Sequence, residues 1–381
     1  MYPFSFHNPT RIEFGVDKEQ FMGAYMREYG AKRALIVYGS ERVKQSGLFA
    51  RVANGLREQG IEFIECGGIK SNPVLSKVRE AVQMAKDFKA DSVLSIGGGS
   101  CLDSAKAIAA GACYAGDVWD FFKGTPIPQA LMIFDVITLA ATGSEMNWGA
   151  VITNEETRQK DSIHDRLLFP KVSVINPQLQ ATVSREYLVY SAADIIAHSI
   201  EAYFTAENRP QIIDGLVENN IKSVIQTTEK LLADPDDLDA RGEFAWAATL
   251  ALNGLTHLGI GKYQFPNHML EHSMSAICDV PHGAGLSVLM PAWMYWYQAH
   301  NPQRFTRFAR EVFALDSAEQ GIQALRAWFD KIGTPTRLSQ LNITDAQLEE
   351  IIENAAQTAK QRNLDGLYSK AAISDIFALT R

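Results

Sequence analysis

Three of the eight histidines in this chain fall within fifteen residues: His268, His272 and His282, in His268-Met-Leu-Glu-His-Ser-Met-Ser-Ala-Ile-Cys-Asp-Val-Pro-His282. His268 and His272 are four apart, so on a helix they share one face. His282 follows in Asp279-Val-Pro-His-Gly-Ala-Gly285, where Pro281 and Gly283 mark a turn. A second pair of the same spacing stands upstream, Asp194-Ile-Ile-Ala-His198. The plain reading is two helices with hydrogen-bonded histidines. The sharper one is a single divalent ion among Asp and His ligands from two helices and a turn, a donor set suited to Fe²⁺, Zn²⁺, Mn²⁺ or Ni²⁺.

A different chemistry is suggested by Ile96-Gly-Gly-Gly-Ser100, which lies between an apolar run and an Ala-rich helical segment. Three glycines let backbone curl tightly against a ligand, and the following helix points free N–H groups at the loop, where anions bind. Ser100 and Asp103 are candidates to accept from N–H groups of the first turn. The run is not GxGxxG with an acidic residue about 20 positions on, so the ordinary Rossmann fingerprint is absent. A second small-residue turn, Ala140-Ala-Thr-Gly-Ser-Glu145, follows another apolar run. Two such turns at strand ends suggest a nucleotide crevice; one alone is equally a tight turn before a capped helix.

The elements that must position these residues divide the chain. Residues 34–38, 61–66, 91–96, 132–139 and 171–175 read as strands, and they alternate with helical segments such as 75–89 and 101–112. That alternation predicts a parallel sheet covered on both faces. After Asn176-Pro177 the pattern changes to helical periodicity over 185–205, 210–233, 240–258, 267–278, 302–314, 317–331 and 345–361. The fold class expected is therefore an α/β dinucleotide-binding domain over 1–180 and an all-helical domain over 181–381.

Composition sets limits. The 381 residues suffice for two domains. A formal net charge of −8 leaves no basic surface for nucleic acid or an anionic membrane. No apolar run approaches the ~20 residues that cross a bilayer, and the first residues lack the basic head and apolar core of a signal peptide. Cys66, Cys101, Cys113 and Cys278 show no CxxC spacing. The expectation is a reduced, cytoplasmic protein that binds neither nucleic acid nor membrane.

Taken together, Asn8-Pro-Thr-Arg-Ile-Glu-Phe-Gly15, Gly68-Ile-Lys-Ser-Asn-Pro73, Gly97-Gly-Gly-Ser100 with Asp103 and Lys106, Ala141-Thr-Gly-Ser-Glu145, the two i,i+4 pairs and Pro281-His-Gly283 occur in an order that resembles the iron-dependent (group III) alcohol dehydrogenases. The likeness runs nearly end to end and is strongest to the butanol dehydrogenase and NADPH-dependent aldehyde reductase branch. It implies a nucleotide-binding domain, a helical domain and a site in the cleft between them. It implies one Fe²⁺ or Zn²⁺ held by Asp194, His198, His268 and His282, and leaves His272 beside the metal as a proton relay or as a residue that only orients a ligand. It implies that Gly97, Gly98, Gly99 and Ser100 hold the cofactor pyrophosphate. Asn72, Thr138, Thr142 and Lys160 match cofactor contacts, and so does Asn147, although many members carry Thr there. Dimers are common in the family.

The reaction implied is hydride transfer between a nicotinamide cofactor and an aldehyde or primary alcohol, with the metal as Lewis acid. Members that use NAD often carry Asp directly after the first strand of the nucleotide fold. Here that position is Gly39, followed by Ser40, Arg42 and Lys44, which could donate to a 2′-phosphate; Glu41 argues the other way. NADP is favoured over NAD on that ground. The alternatives are an NAD-dependent polyol dehydrogenase, a lyase of the same architecture, or a metal- and nucleotide-binding protein without turnover. Trp148, Asn253, Leu255 and Phe265 are candidate pocket residues that packing would explain equally well.

Overall fold

A computed structural model describes all of Met1–Arg381. Chain contacts divide it into two compact units, His7–Val183 and Ser184–Arg381, the second also holding Met1–Phe6. The N-terminal hexapeptide thus falls outside the 1–180 domain expected from sequence, and its Tyr2 N–H donates to the Gly259 carbonyl at 3.0 Å.

The first unit carries strands β1 (Arg11–Phe14), β2 (Arg33–Tyr38), β3 (Glu62–Cys66), β4 (Ser92–Gly97), β5 (Met132–Ile137), β6 (Gly149–Asn154), β7 (Gln159–His164) and β8 (Val172–Ile175). Its helices are α1 (Met22–Glu28), α2 (Arg42–Gln45), α3 (Leu48–Glu58), α4 (Leu75–Phe88), α5 (Gly99–Ala112), α6 (Trp119–Phe122) and α7 (Pro177–Gln180). Six strands form one parallel sheet in the order β1-β8-β5-β4-β2-β3. Their central members are buried on both faces, which is why they read as unbroken apolar runs. Leu35, Val37, Val93 and Ile133 pack under α4 and α5 on one face. Ala34, Ile36, Leu94, Ile96, Phe134, Val136, Val172 and Val174 pack with α1 and α3 on the other. From β2 the chain goes to β3 on one side and then to β4 on the other, so the strand order reverses between β2 and β4. Ligands of open parallel sheets bind at the carboxyl ends of strands at such a reversal, and both Gly39 and the Gly97–Ser100 turn stand there.

Three strands went unread from sequence. β1 is a four-residue edge strand, paired only with β8 and half exposed. β6 and β7 form an antiparallel hairpin outside the main sheet, with a polar turn and a mixed pattern.

The second unit is helical: α8 (Arg185–Thr205), α9 (Gln211–Ala233), α10 (Leu238–Leu252), α11 (Pro266–Cys278), α12 (His282–Tyr297), α13 (Pro302–Phe313), α14 (Ala318–Ile332), α15 (Asp345–Gln361) and α16 (Lys370–Ala378). The expected helix over 240–258 instead ends at Leu252, because Gly254 takes φ 95° and a single 3₁₀ turn follows. His282 is not in a free turn; it is the first residue of α12. That helix was missed because it is buried nearly all round and carries Gly283, Gly285 and Pro291, so it has no polar face to produce a period. No helix is long and apolar enough to cross a membrane.

On the α5 face of the sheet, Ser95, Asp135 and Ser173 stand in register across β4, β5 and β8, a polar row in an otherwise apolar layer. Asp135 is fully buried, with Ser95 opposite it on β4. Burial, and secondarily the charge of Glu145, pushes its carboxyl well above the usual range. A carboxyl raised in the folded state contributes stability that is fully present below its unfolded value near pH 3.9 and declines as pH rises above it, by up to about 1.4 kcal/mol per unit. Asp135→Asn removes the proton requirement. Its melting temperature relative to the native chain should be more favourable at pH 8 than at pH 5, as read by scanning calorimetry; a pH-independent difference would exclude a retained proton.

Candidate functional site

α8 is the longest apolar helix around the histidines, capped by Ser184, whose Oγ accepts from the Tyr187 N–H at 3.3 Å. Asp194, His198 and Glu201 lie at i, i+4 and i+7 and so share one face, all buried. α11 begins at Pro266, whose fixed φ suits a first helical position. Its free N–H groups at Asn267 and His268 are each taken by Glu201, at 2.9 Å, so a carboxylate on α8 caps α11. α12 starts against α8 with no space to spare: a Cβ at Gly283 would lie 2.0 Å from the Tyr190 carbonyl oxygen. Only glycine permits that approach, and it fixes His282 beside Asp194.

These packings bring four side chains together. Asp194 Oδ1 lies 3.6 Å from the Nε2 of His198, of His268 and of His282. Two donors each about 2.0–2.2 Å from one ion and about 110° apart are separated by about 3.3–3.6 Å. The ligand atoms of Asp194, His268 and His282 also lie within 4.8 Å of one another. Asp194 Oδ1 and His268 Nε2 are buried without a hydrogen bond in the chain, a costly state for polar atoms unless something compensates. The donors fit a divalent ion with Asp/His preferences.

The electrostatics agree. Burial alone would raise Asp194, but the imidazoles of His198, His282 and His268 outweigh it and hold the carboxyl below the usual range. Burial drives His198 down to about 3, against the pull of Asp194. His268 goes the other way, to about 9: burial opposes protonation, but the carboxylates of Glu201 and Asp194 prevail. Between those two acids the centre favours a cation.

Two residues absent from the sequence reading complete the arrangement. Glu201 Oε1 holds His268 Nδ1 at 2.5 Å. Glu271 Oε2 holds His282 Nδ1, and its Oε1 accepts from Ser275 Oγ. Each carboxylate fixes a ring so that Nε2 faces Asp194. Glu201 was detectable in principle, as a charged residue at i+7 from Asp194 within an apolar helix. Glu271 had no signal beyond its place between two histidines. His272 is buried, its ring centroid 5.5 Å from that of His282 and 6.1 Å from that of His268; it is beside the four but is not among the three nitrogens 3.6 Å from Asp194 Oδ1. Of the candidate pocket residues in this unit, Phe265 packs on His268, with ring centroids 5.5 Å apart. Asn253 Oδ1 accepts from the Leu255 N–H, as a turn residue does.

In the first unit, Gly97 ends β4, Gly98 caps and Gly99 starts α5, as the sequence suggests. Gly98 provides no side-chain cap. The expected capping role of Ser100 and Asp103 is not what these side chains do. Ser100 Oγ donates to the Ser71 carbonyl, and Asp103 accepts from Ser144 Oγ at 2.6 Å and the Val151 N–H at 3.0 Å. Asp103 thus secures a loop, with one accepted bond on each oxygen. Thr142 lies over Gly99, where an added Cβ would meet its Oγ1 at 2.3 Å. Thr138 N–H donates to the Gly97 carbonyl at 2.8 Å, and Lys160 Nζ donates to Asn72 Oδ1 at 3.0 Å. Asn147 is turned inward: Oδ1 accepts from Lys106 and Gly149, and Nδ2 donates to the Gly143 carbonyl. It shapes the loop rather than facing outward. Gly39 and Ser40 follow β2, Ser40 exposed, while Lys44 is engaged by Glu65 at 2.9 Å and Glu41 at 3.7 Å. Trp148 packs on Phe169.

With this geometry established, comparison with known proteins is specific. Residues 9–177 match the model of the iron-containing alcohol dehydrogenases, and residues 188–381 match that of the Fe-containing alcohol dehydrogenase family, C-terminal. The chain belongs to the iron-containing alcohol dehydrogenase family. It is 37% identical over 364 residues to probable NADH-dependent butanol dehydrogenase 1 of Bacillus subtilis, covering 93% of this chain and 94% of that one. It is 31% identical to NADPH-dependent aldehyde reductase YqhD of Escherichia coli over 93% of this chain and 92% of that one. The crystal structure of NADH-dependent butanol dehydrogenase A from Thermotoga maritima superposes with a TM-score of 0.96 at 40% identity, covering 100% and 99% of the two chains.

If Glu201 and Glu271 hold two ring nitrogens in the ligating orientation, Glu201→Gln and Glu271→Gln should each weaken metal binding by roughly 10–100-fold. Competition with a chromophoric chelator measures this. Unchanged affinity in both variants would leave the carboxylates only a packing role.

Proposed function

We propose that this enzyme transfers hydride between a nicotinamide nucleotide and an aldehyde or primary alcohol, most readily in the direction of aldehyde reduction with NADPH. The observation that carries the reading is the convergence of three imidazole nitrogens on one buried carboxylate oxygen at 3.6 Å. Asp194, His198, His268 and His282 would hold a divalent ion, Fe²⁺ or Zn²⁺. When bound, the ion supplies Lewis-acid polarisation of the substrate oxygen, and the nucleotide supplies the hydride. Glu201 and Glu271 keep His268 and His282 turned inward. His272 is the proton carrier: its imidazole is buried one helical turn from His268, beside the four ligands, and imidazole is the common general acid–base group. A binding protein without turnover has no use for a buried imidazole beside a complete ligand set. Gly97, Gly98, Gly99 and Ser100 would take the pyrophosphate at the α5 N-terminus, with Thr138, Thr142, Asn72 and Lys160 around it.

His272→Ala should lower kcat for aldehyde reduction by roughly 10²–10⁴-fold and retain its metal, whereas His268→Ala should lose metal. Elemental analysis per subunit and kcat over pH 5–9 separate the two roles. Metal loss in His272→Ala with retention in His268→Ala would exchange the assignments, and full activity with metal in His272→Ala would remove it from the reaction.

For the cofactor, the support is the absence of a carboxylate at Gly39, with the exposed Ser40 and Arg42 beside it. Lys44 drops out of the argument, since Glu65 and Glu41 engage it. A second reading, NAD, is favoured by the names of several relatives described as NADH-dependent. Gly39→Asp should lower the ratio of kcat/KM for NADPH to that for NADH, relative to Gly39→Ala as the steric control. The same ratio in both variants would remove residue 39 from cofactor choice.

A further inference from the structure

Lys106 is fully buried, and its ammonium is enclosed by oxygen. Nζ lies 2.8 Å from the Ser144 carbonyl oxygen, 2.9 Å from Ser144 Oγ, 3.0 Å from the Asn147 carbonyl oxygen, 2.9 Å from Asn147 Oδ1 and 2.9 Å from the Gly149 carbonyl oxygen. An ammonium has three protons, so five oxygens at these distances cannot each receive one of their own. What such a cage recognises is a compact positive charge. All five oxygens come from one stretch, 144–149, which is wrapped around the cation.

The same stretch is tied at both ends to α5, the helix that leaves the glycine turn. Asp103, three residues before Lys106 on the same face of α5, accepts from Ser144 Oγ and from the Val151 N–H. Asn147 Nδ2 donates back to the Gly143 carbonyl at 3.0 Å. Immediately before it, Thr142 covers Gly99, and its Oγ1 accepts from the Ser144 N–H at 3.2 Å. α5 begins in the Gly97–Gly99 turn, and with its next turn it holds the loop that covers that beginning.

We propose that Lys106 is a positioning residue, a tethered cation around which the Thr142–Gly149 loop folds over the glycine turn. Its charge sets nucleotide affinity without touching the nucleotide, and the five-oxygen cage accepts a free monovalent cation when the side chain is cut back. The proposal rests on the reading that this turn binds a nicotinamide nucleotide.

The test uses Lys106→Ala and Lys106→Met in the full-length enzyme, purified in tetramethylammonium buffer, an ion too large and too poorly hydrogen-bonding for the cage. In Lys106→Ala, Kd and KM for NADPH should rise by at least roughly tenfold, the scale on which supporting contacts act, while kcat at saturating NADPH stays within a few-fold. Adding NH₄⁺ or K⁺ should restore most of the affinity and raise the melting temperature of Lys106→Ala, with no comparable effect on the native enzyme. Lys106→Met fills the volume without charge; it should bind NADPH weakly and gain nothing from either ion. Native-like NADPH binding by Lys106→Met overturns the proposal, as does weak binding by a folded Lys106→Ala that neither ion improves. Should Lys106→Ala fold only with NH₄⁺ or K⁺, the cage is upheld; should it fold in neither, Lys106→Met decides. If the native enzyme itself binds no NADPH, the functional reading fails, and the cation-dependent melting of Lys106→Ala still tests the cage.

Discussion

Asp194 carries its charge inside the helical unit, where water does not reach it. An isolated carboxylate in such a place would take up a proton. Here three imidazoles face the same oxygen and hold the carboxyl below its usual range. Those rings in turn need their far nitrogens engaged, and Glu201 and Glu271 do this for His268 and His282. The constraint then spreads outward. Glu201 is held in place by capping α11, and Ser275 holds Glu271. Gly283 admits α12 against the α8 backbone. Much of the helical packing can be understood as what a buried charge requires of its neighbours.

The α/β unit meets a related problem with a different device. Its glycine turn is soft by composition, since glycine restrains backbone least. Rigidity comes from buried ionic groups on the following helix. Lys106 and Asp103 are i,i+3 neighbours, and each binds the same loop. Burial lowers Lys106, to about 8, and raises Asp103. Their mutual attraction and the surrounding oxygens oppose both shifts. Asp135, in the polar row of the sheet, has no such loop around it, and burial pushes its carboxyl well above the usual range despite Ser95.

The cofactor and metal assignments differ in how directly side chains bear on them. Around Asp194, distances, orphaned atoms and charge point the same way. At the glycine turn, several residues matched by family resemblance serve the protein first. Asn147 and Asp103 shape the loop, and Ser100 reaches the Ser71 carbonyl. A phosphate there would meet the N–H groups at the start of α5, with Thr142 and Lys160 beside them.

The sequence by itself determined the division into an α/β half and a helical half, the strands of the sheet interior, and the ligand spacing on α8 and α11. Those features are local: apolar runs, i,i+4 pairs and Gly-Gly-Gly after a strand are written in neighbouring residues. The tertiary structure decided the rest. α12 is apolar on every side, so no period announced it, and His282 read as a turn residue until its packing against α8 was visible. β1 depends on pairing with β8, some 160 residues away, and Met1–Phe6 joins the helical unit through contacts near Gly259. Glu201, Lys106 and Asp103 acquire their roles only from partners distant in sequence, because satisfying a buried polar atom is a property of the space around it and not of the residues beside it.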